Sequence, residues 1–125
     1  MSRASTPADI NNFLTKFKKV MKRGSFHLVK RWDRKNIDFI SSLGLTIKEA
    51  IRTIHLPTIR KLTYKNYCSG PEKDRDIKNC NVWVFGVEIN NKEVYIKLSD
   101  NFKNKLATSI SFHEAEHSLK YPHRK

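Results

Sequence analysis

Residues 110–119 read ISFHEAEHSL and contain a literal H-E-x-x-H: His113, Glu114, Ala115, Glu116 and His117. On a helix this spacing puts two imidazoles on one face, where they hold zinc. The glutamate then serves as general base beside the metal-bound water. The residues leading into the motif argue against a helix. Ile110, Ser111, Phe112 and His113 alternate apolar and polar, as a strand with one buried face does. A third ligand would have to come from upstream, and no histidine or acid is marked out for it. With five histidines and twelve acidic residues in the chain, a chance match is the simpler account. His113, Glu114 and His117 stand as a zinc-peptidase alternative, and the leading expectation is that the chain uses no metal or other cofactor.

An imidazole at the end of a strand has other uses, because it moves protons near neutral pH. RNA cleavage through the 2′-OH needs a base for the 2′ proton, an acid for the leaving 5′ oxygen and a cation for the charge on phosphorus. The segments VWVFGVEI and EVYIKLS, joined by Asn90-Asn91, read as a β-hairpin, and LATSISFH reads as a further strand. Alternation puts Val94, Ile96 and Leu98 on one face and Tyr95, Lys97 and Ser99 on the other. Ile110 and Phe112 then share a face, opposite Ser111 and His113. Trp83, Phe85, Val87 and Ile89 are core-like, opposite Val84, Gly86 and Glu88. If the apolar faces meet one layer, Tyr95, Lys97, Ser111 and His113 come together on the other. His113, Tyr95 and Lys97 can fill the three catalytic roles, and His117 is expected to lie beyond the strand and outside the site.

The elements that must position this face come earlier in the chain. Thr6-Pro7 reads as a helix start. Ile10, Phe13, Leu14, Phe17 and Met21 follow at helical spacing, with a basic outer face and Gly24 as the stop. SFHLVKRW is a short extended candidate, and residues 36–43 form a helix closed by Gly44. Thr46 and Glu49 make a capping box for a helix through about His55, with Pro57 either stopping that helix or opening the next short element. YCSGPEKDRDIKNCN reads as a long polar loop. The fold class is α+β: a single domain over 1–125, helices packed on one face of a small antiparallel sheet, with 1–7 and 118–125 as flexible tails.

The net charge is +13, and most of it lies in residues 1–62, in KFKKVMKRG and VKRWDRK. Such a surface attracts polyanions. Lys18 and Lys19 are candidate phosphate contacts, as are Lys73 and Arg75 in the polar loop, and Tyr67 is a candidate for stacking on a base. A basic binding module without catalysis is the competing account of the same charge. Cys68 and Cys80 are expected to be free thiols. No apolar stretch approaches the length of a membrane span, and the N-terminus lacks an apolar run of signal-peptide type, so a cytoplasmic protein with no membrane partner is expected.

The segments KFKKVMKRG, LGLT, VWVFGVEINNKEVYIKL and SISFHEAE resemble the MqsR family of bacterial toxins, over about residues 13–116. These are ribosome-independent mRNA endoribonucleases of RelE-like fold from type II toxin–antitoxin pairs. The resemblance implies that Tyr95 is the catalytic tyrosine and that the C-terminal catalytic lysine is replaced by His113. The upstream lysine falls near Lys65, or alternatively the position is taken by Cys68. The family's glutamine after the tryptophan corresponds to Val84 here, so that role is absent. The resemblance also implies an mRNA substrate, growth inhibition, and a cognate antitoxin partner carrying a DNA-binding module.

Overall fold

The computed structural model describes residues 4–29, 34–75 and 77–124. Helix α1 spans Pro7–Lys22. Its start is fixed by Thr6, whose hydroxyl accepts from Asp9 N at 3.2 Å, and by proline in the first turn. Ile10, Phe13, Leu14, Phe17 and Met21 are its buried stripe. Gly24, at φ +84, turns the chain out of the helix. Strand β1 is short, Phe26–Leu28, and helix α2 covers Lys35–Ser42. The Thr46–Glu49 capping box opens α3, Ile47–Ala50. The chain stays helical through a π-type turn, Ile51–His55, into α4, Leu56–Arg60. Pro57, which has no N–H to donate, lies where the π-type turn passes into α4.

Four further strands complete the sheet: β2 Tyr67–Lys73, β3 Asn81–Ile89, β4 Lys92–Ser99 and β5 Ala107–Glu114. The sheet order is β1-β5-β4-β3-β2. β2 to β5 pair antiparallel, and β3 and β4 are joined by Asn90 and Asn91, both at positive φ as a tight hairpin turn requires. The expectation of a purely antiparallel sheet is corrected by β1, which runs parallel to β5. β1 reaches the edge beside β5 from the far end of the chain, not through a hairpin, and three residues are too few to show alternation.

The polar loop expected over residues 67–81 is also corrected, since its first half is strand β2. Gly70 and Pro71 interrupt any alternation, and the pairing to β3 shifts register twice. An edge strand tolerates both. At Gly70, φ is +116 and a Cβ would lie 2.7 Å from the Val82 carbonyl oxygen, so no side chain fits.

One cross-strand row carries the centre of the core. Tyr67 faces Phe85, Phe85 faces Ile96, and Ile96 faces Phe112, all fully buried. Phe13 of α1 stacks on Trp83 with ring centroids 4.7 Å apart. Phe39 of α2 and His55 pack on Phe112 at 5.8 and 4.1 Å. Trp83 and Phe85 are therefore core residues, as their strand face predicts.

Between Lys97 and Leu98 the β4–β5 register shifts, so that Leu98 faces Ser109 and Lys97 faces Ser111. Ile110 is the extra residue and is half-buried, in place of the core position expected for it. The bulge leaves backbone groups without ladder partners, and buried Asn36 supplies them. Its amide nitrogen donates to the carbonyls of Val29 (2.7 Å) and Ile110 (2.9 Å), and its oxygen accepts from Phe112 N at 2.8 Å.

Described residues near both termini make contacts. Ser5 N donates to Tyr67 Oη at 3.0 Å, and His123 Nε2 donates to the Ser5 carbonyl at 2.7 Å. No described helix is long and apolar enough to cross a membrane.

Candidate functional site

The hairpin and β5 place the predicted face by register alone. Gly86 faces Tyr95 and Tyr95 faces His113; one row along, Val84 faces Lys97 and Lys97 faces Ser111. These rows lie opposite the aromatic core row. The bulge lies beyond Ser111 toward the N-terminal end of β5, so it leaves the phase of Ser111 and His113 intact. The rings of Tyr95 and His113 stack at 5.5 Å with an interplanar angle of 23°. The Lys97 ammonium lies 6.0 Å from the Tyr95 ring centre.

His113 Nδ1 is 2.9 Å from the Glu114 carbonyl oxygen. A carbonyl only accepts, so neutral His113 carries its proton on Nδ1 and leaves the Nε2 lone pair for other use. His113 is 8% exposed. It borders a depression of about 290 Å³, shared with Lys35, Tyr95, Lys97, Ser111, Glu116 and His117. The depression thus gathers two imidazoles, two ammonium groups, a phenol and a carboxylate.

Its far wall comes from the segment after β5. Glu116 pairs with Lys35 of α2 at 2.5 Å. That hydrogen bond and charge hold the Glu116 carboxyl below its ordinary range, with the imidazoles of His113 and His117 adding smaller contributions. Beyond it the chain runs across β3. Leu119 N and Tyr121 Oη donate to the two oxygens of Glu93, each at 2.9 Å. Arg124 lies 3.8 Å over the Tyr121 ring. Gly86 gives this strap its seat: a Cβ there would stand 2.3 Å from Tyr121 Oη and 2.6 Å from Leu119 Cδ1. Burial and the Glu93 carboxylate raise the Tyr121 phenol above its usual value, so it stays protonated and donates.

The structure brings together Tyr95, Lys97 and His113 and leaves the other predicted residues elsewhere. Lys65 is exposed in the turn Tyr64–Asn66 and does not line the depression. The alternative there, Cys68, is a half-buried thiol pushed up to about 12, chiefly by burial and then by Glu93, so it is no thiolate near neutral pH. Lys73 and Arg75 are exposed at and beyond the end of β2, by Asn81 and far along β3 from Gly86. Tyr67, expected to stack on a base, is instead fully buried: it faces Phe85 across the ladder and donates to the Gly70 carbonyl. Lys18 and Lys19 belong to α1, in the layer on the opposite face of the sheet. Lys18 donates to the Leu62 carbonyl at 2.6 Å, and burial lowers its ammonium below the ordinary value.

His117 corrects the sequence reading most directly, because it lines the same depression as His113. Lys35 and Glu116 were also missed. The only hint was Glu116 lying between two histidines; nothing in the local pattern marks Lys35. The helix that a zinc peptidase needs is absent from the H-E-x-x-H segment, since β5 runs to Glu114 and a bend comes next. Glu114 alternates away from His113 and approaches Lys92 at 3.7 Å. Among the described residues, no group of three His, Cys, Asp or Glu side chains is placed to hold a metal ion. Comparison with protein-family models, with curated proteins and with solved structures finds no significant match.

Proposed function

We propose that this chain is an MqsR-like endoribonuclease toxin of RelE-like fold that cuts single-stranded mRNA without a metal ion. The observation that carries the reading is the cross-strand cluster of Tyr95, Lys97 and His113 in one depression of a strongly basic protein. In this mechanism His113 Nε2 takes the 2′-OH proton. The 2′ oxygen attacks phosphorus, and the Lys97 ammonium stabilises the charge that builds on the phosphoryl oxygens. The stacked Tyr95 ring fixes the imidazole plane. The P–O5′ bond then breaks, leaving a 2′,3′-cyclic phosphate and a 5′-hydroxyl. The leaving oxygen needs a proton, and the Tyr95 hydroxyl is one group of the depression able to give it.

The rest of the reading comes from the resemblance. A cognate antitoxin with a DNA-binding module would bind the toxin and block its RNA face, and free toxin would arrest growth from the cytoplasm. Lys73 and Arg75, both exposed, remain proposed phosphate contacts outside the depression.

The test is cleavage of naked RNA by purified protein in EDTA, with end-group analysis. His113→Ala should lower the rate roughly 10²–10⁴-fold, the usual size of one proton-transfer role. Tyr95→Phe should also slow cleavage. Activity that vanishes with chelation, or an unaffected His113→Ala, refutes the mechanism.

A further inference from the structure

We infer that His117 is the general acid of this site, protonating the 5′ oxygen as His113 takes the 2′ proton. This rests on the ribonuclease reading and deepens it. Three observations converge. His117 borders the same depression as His113, Tyr95 and Lys97. It is exposed, so its imidazole is hydrated and open to substrate. And it is carried by a segment with fixed anchors on both sides: Glu116 is tied to Lys35, and Leu119 and Tyr121 are tied to Glu93 over Gly86. Two residues from His117 the strap is already seated on the sheet, so the ring stays beside the site.

The division of labour depends on what each ring touches. The His113 Nδ1 proton is held by the Glu114 carbonyl, which leaves Nε2 to accept. His117 follows Glu116 on the strap and is the second imidazole bordering the depression. The Lys35 and Lys97 ammonium groups, the Tyr95 phenol, His113 and Glu116 are the other charged and titratable groups around that space. The proton count closes. One proton passes from the 2′-OH to His113, the P–O5′ bond breaks as the P–O2′ bond forms, and one proton passes from His117 to the departing oxygen. Solvent restores both rings. Imidazole suits the acid role better than phenol because its ordinary pKa lies near the working pH.

The test uses two RNAs of the same sequence. One is natural, and the other carries a bridging 5′-phosphorothiolate at the mapped cleavage site, whose thiolate leaves without being protonated. His117→Ala should slow the natural RNA roughly 10²–10³-fold. It should slow the sulfur-bridged RNA far less, and the alkaline fall of kcat/KM should disappear. His113→Ala should slow both RNAs. Unchanged circular dichroism and denaturation midpoint will show that the exposed substitution leaves the fold intact. Equal slowing of both RNAs by His117→Ala, or none, overturns the assignment. So does sulfur rescue seen with Tyr95→Phe and not with His117→Ala, which would make Tyr95 the acid. Wild-type protein that fails to cut natural RNA refutes the ribonuclease reading itself, and the role of His117 with it. An active enzyme indifferent to His117 refutes this inference alone.

Discussion

Replacing Gly86 by alanine adds one methyl group under the C-terminal strap. The backbone accepts it, because Gly86 is not at a positive φ and sits in regular β3–β4 pairing. On conformational grounds alone, alanine in a strand should be more stable than glycine by about 0.5–1 kcal/mol. The strap reverses the sign. The new Cβ would lie 2.3 Å from Tyr121 Oη and 2.6 Å from Leu119 Cδ1, well inside contact distance. Moving the strap breaks the two hydrogen bonds to Glu93. Hydrogen bonds to a charged group contribute roughly 1.5–3 kcal/mol each, and their partial exposure argues for the lower end. Losing both costs about 3 kcal/mol, so the net effect of Gly86→Ala is a loss of about 2–2.5 kcal/mol. Urea denaturation measures it, and trypsin cleavage after Lys120 reports whether the strap has lifted. In a Leu119→Ala/Tyr121→Ala background the same substitution should become neutral or stabilising, since nothing is left to collide with. Stabilisation by Gly86→Ala in the otherwise native chain, with Lys120 still protected, would refute the seat assigned to the strap.

Two other outcomes rest on buried polar groups. His55 is fully buried with Nδ1 donating to the Ala50 carbonyl, and burial pushes its pKa below the ordinary value. The unfolded chain takes up that proton near pH 6.5 while the folded chain does not. Stability should therefore be fully present above about pH 6.5 and fall below it by up to about 1.4 kcal/mol per pH unit from this group; urea midpoints between pH 5 and 7.5 should show a slope that His55→Leu reduces. Asn36→Ala should cost about 3 kcal/mol in urea denaturation at unchanged m-value, because it strands the Val29 and Ile110 carbonyls and the Phe112 amide at the bulge. A cost under 1 kcal/mol would mean that these groups find other partners.

The parts of the fold that obey a single period were legible from residues alone. The buried stripe of α1, the capping box of α3 and the β3–β4 hairpin all carry their signal within a few residues. So does the shared face of Tyr95 and His113, because alternation in two strands with known apolar faces puts both on the opposite side of the sheet. What was hidden depends on contacts distant in sequence. β1 joins β5 from the other end of the chain, and β2 is an irregular edge containing Gly70 and Pro71. The bulge at Ile110 is stabilised by Asn36, which lies 74 residues away. Tyr67 looked like a surface aromatic because its neighbours are polar, yet the ladder places it beside Phe85.

The fate of the H-E-x-x-H segment shows how far spacing alone underdetermines chemistry. On a helix His113, Glu114 and His117 would share one face. On a strand that ends in a bend they separate. His113 faces the depression, Glu114 turns toward Lys92, and the chain then turns across the sheet so that His117 borders the same depression. The glutamate that a zinc peptidase would use as its base is removed from the site, while the two imidazoles remain. A second acid, Glu116, takes a place between α2 and the strap through Lys35. The sorting depends on the strand period for His113 and on Gly86 and Glu93 for His117. Substitutions that leave the motif untouched but unseat the strap should therefore move His117 and spare His113. Gly86→Ala or Glu93→Gln would then mimic loss of the acid without loss of the base, the pattern that the pair of RNA substrates is able to detect.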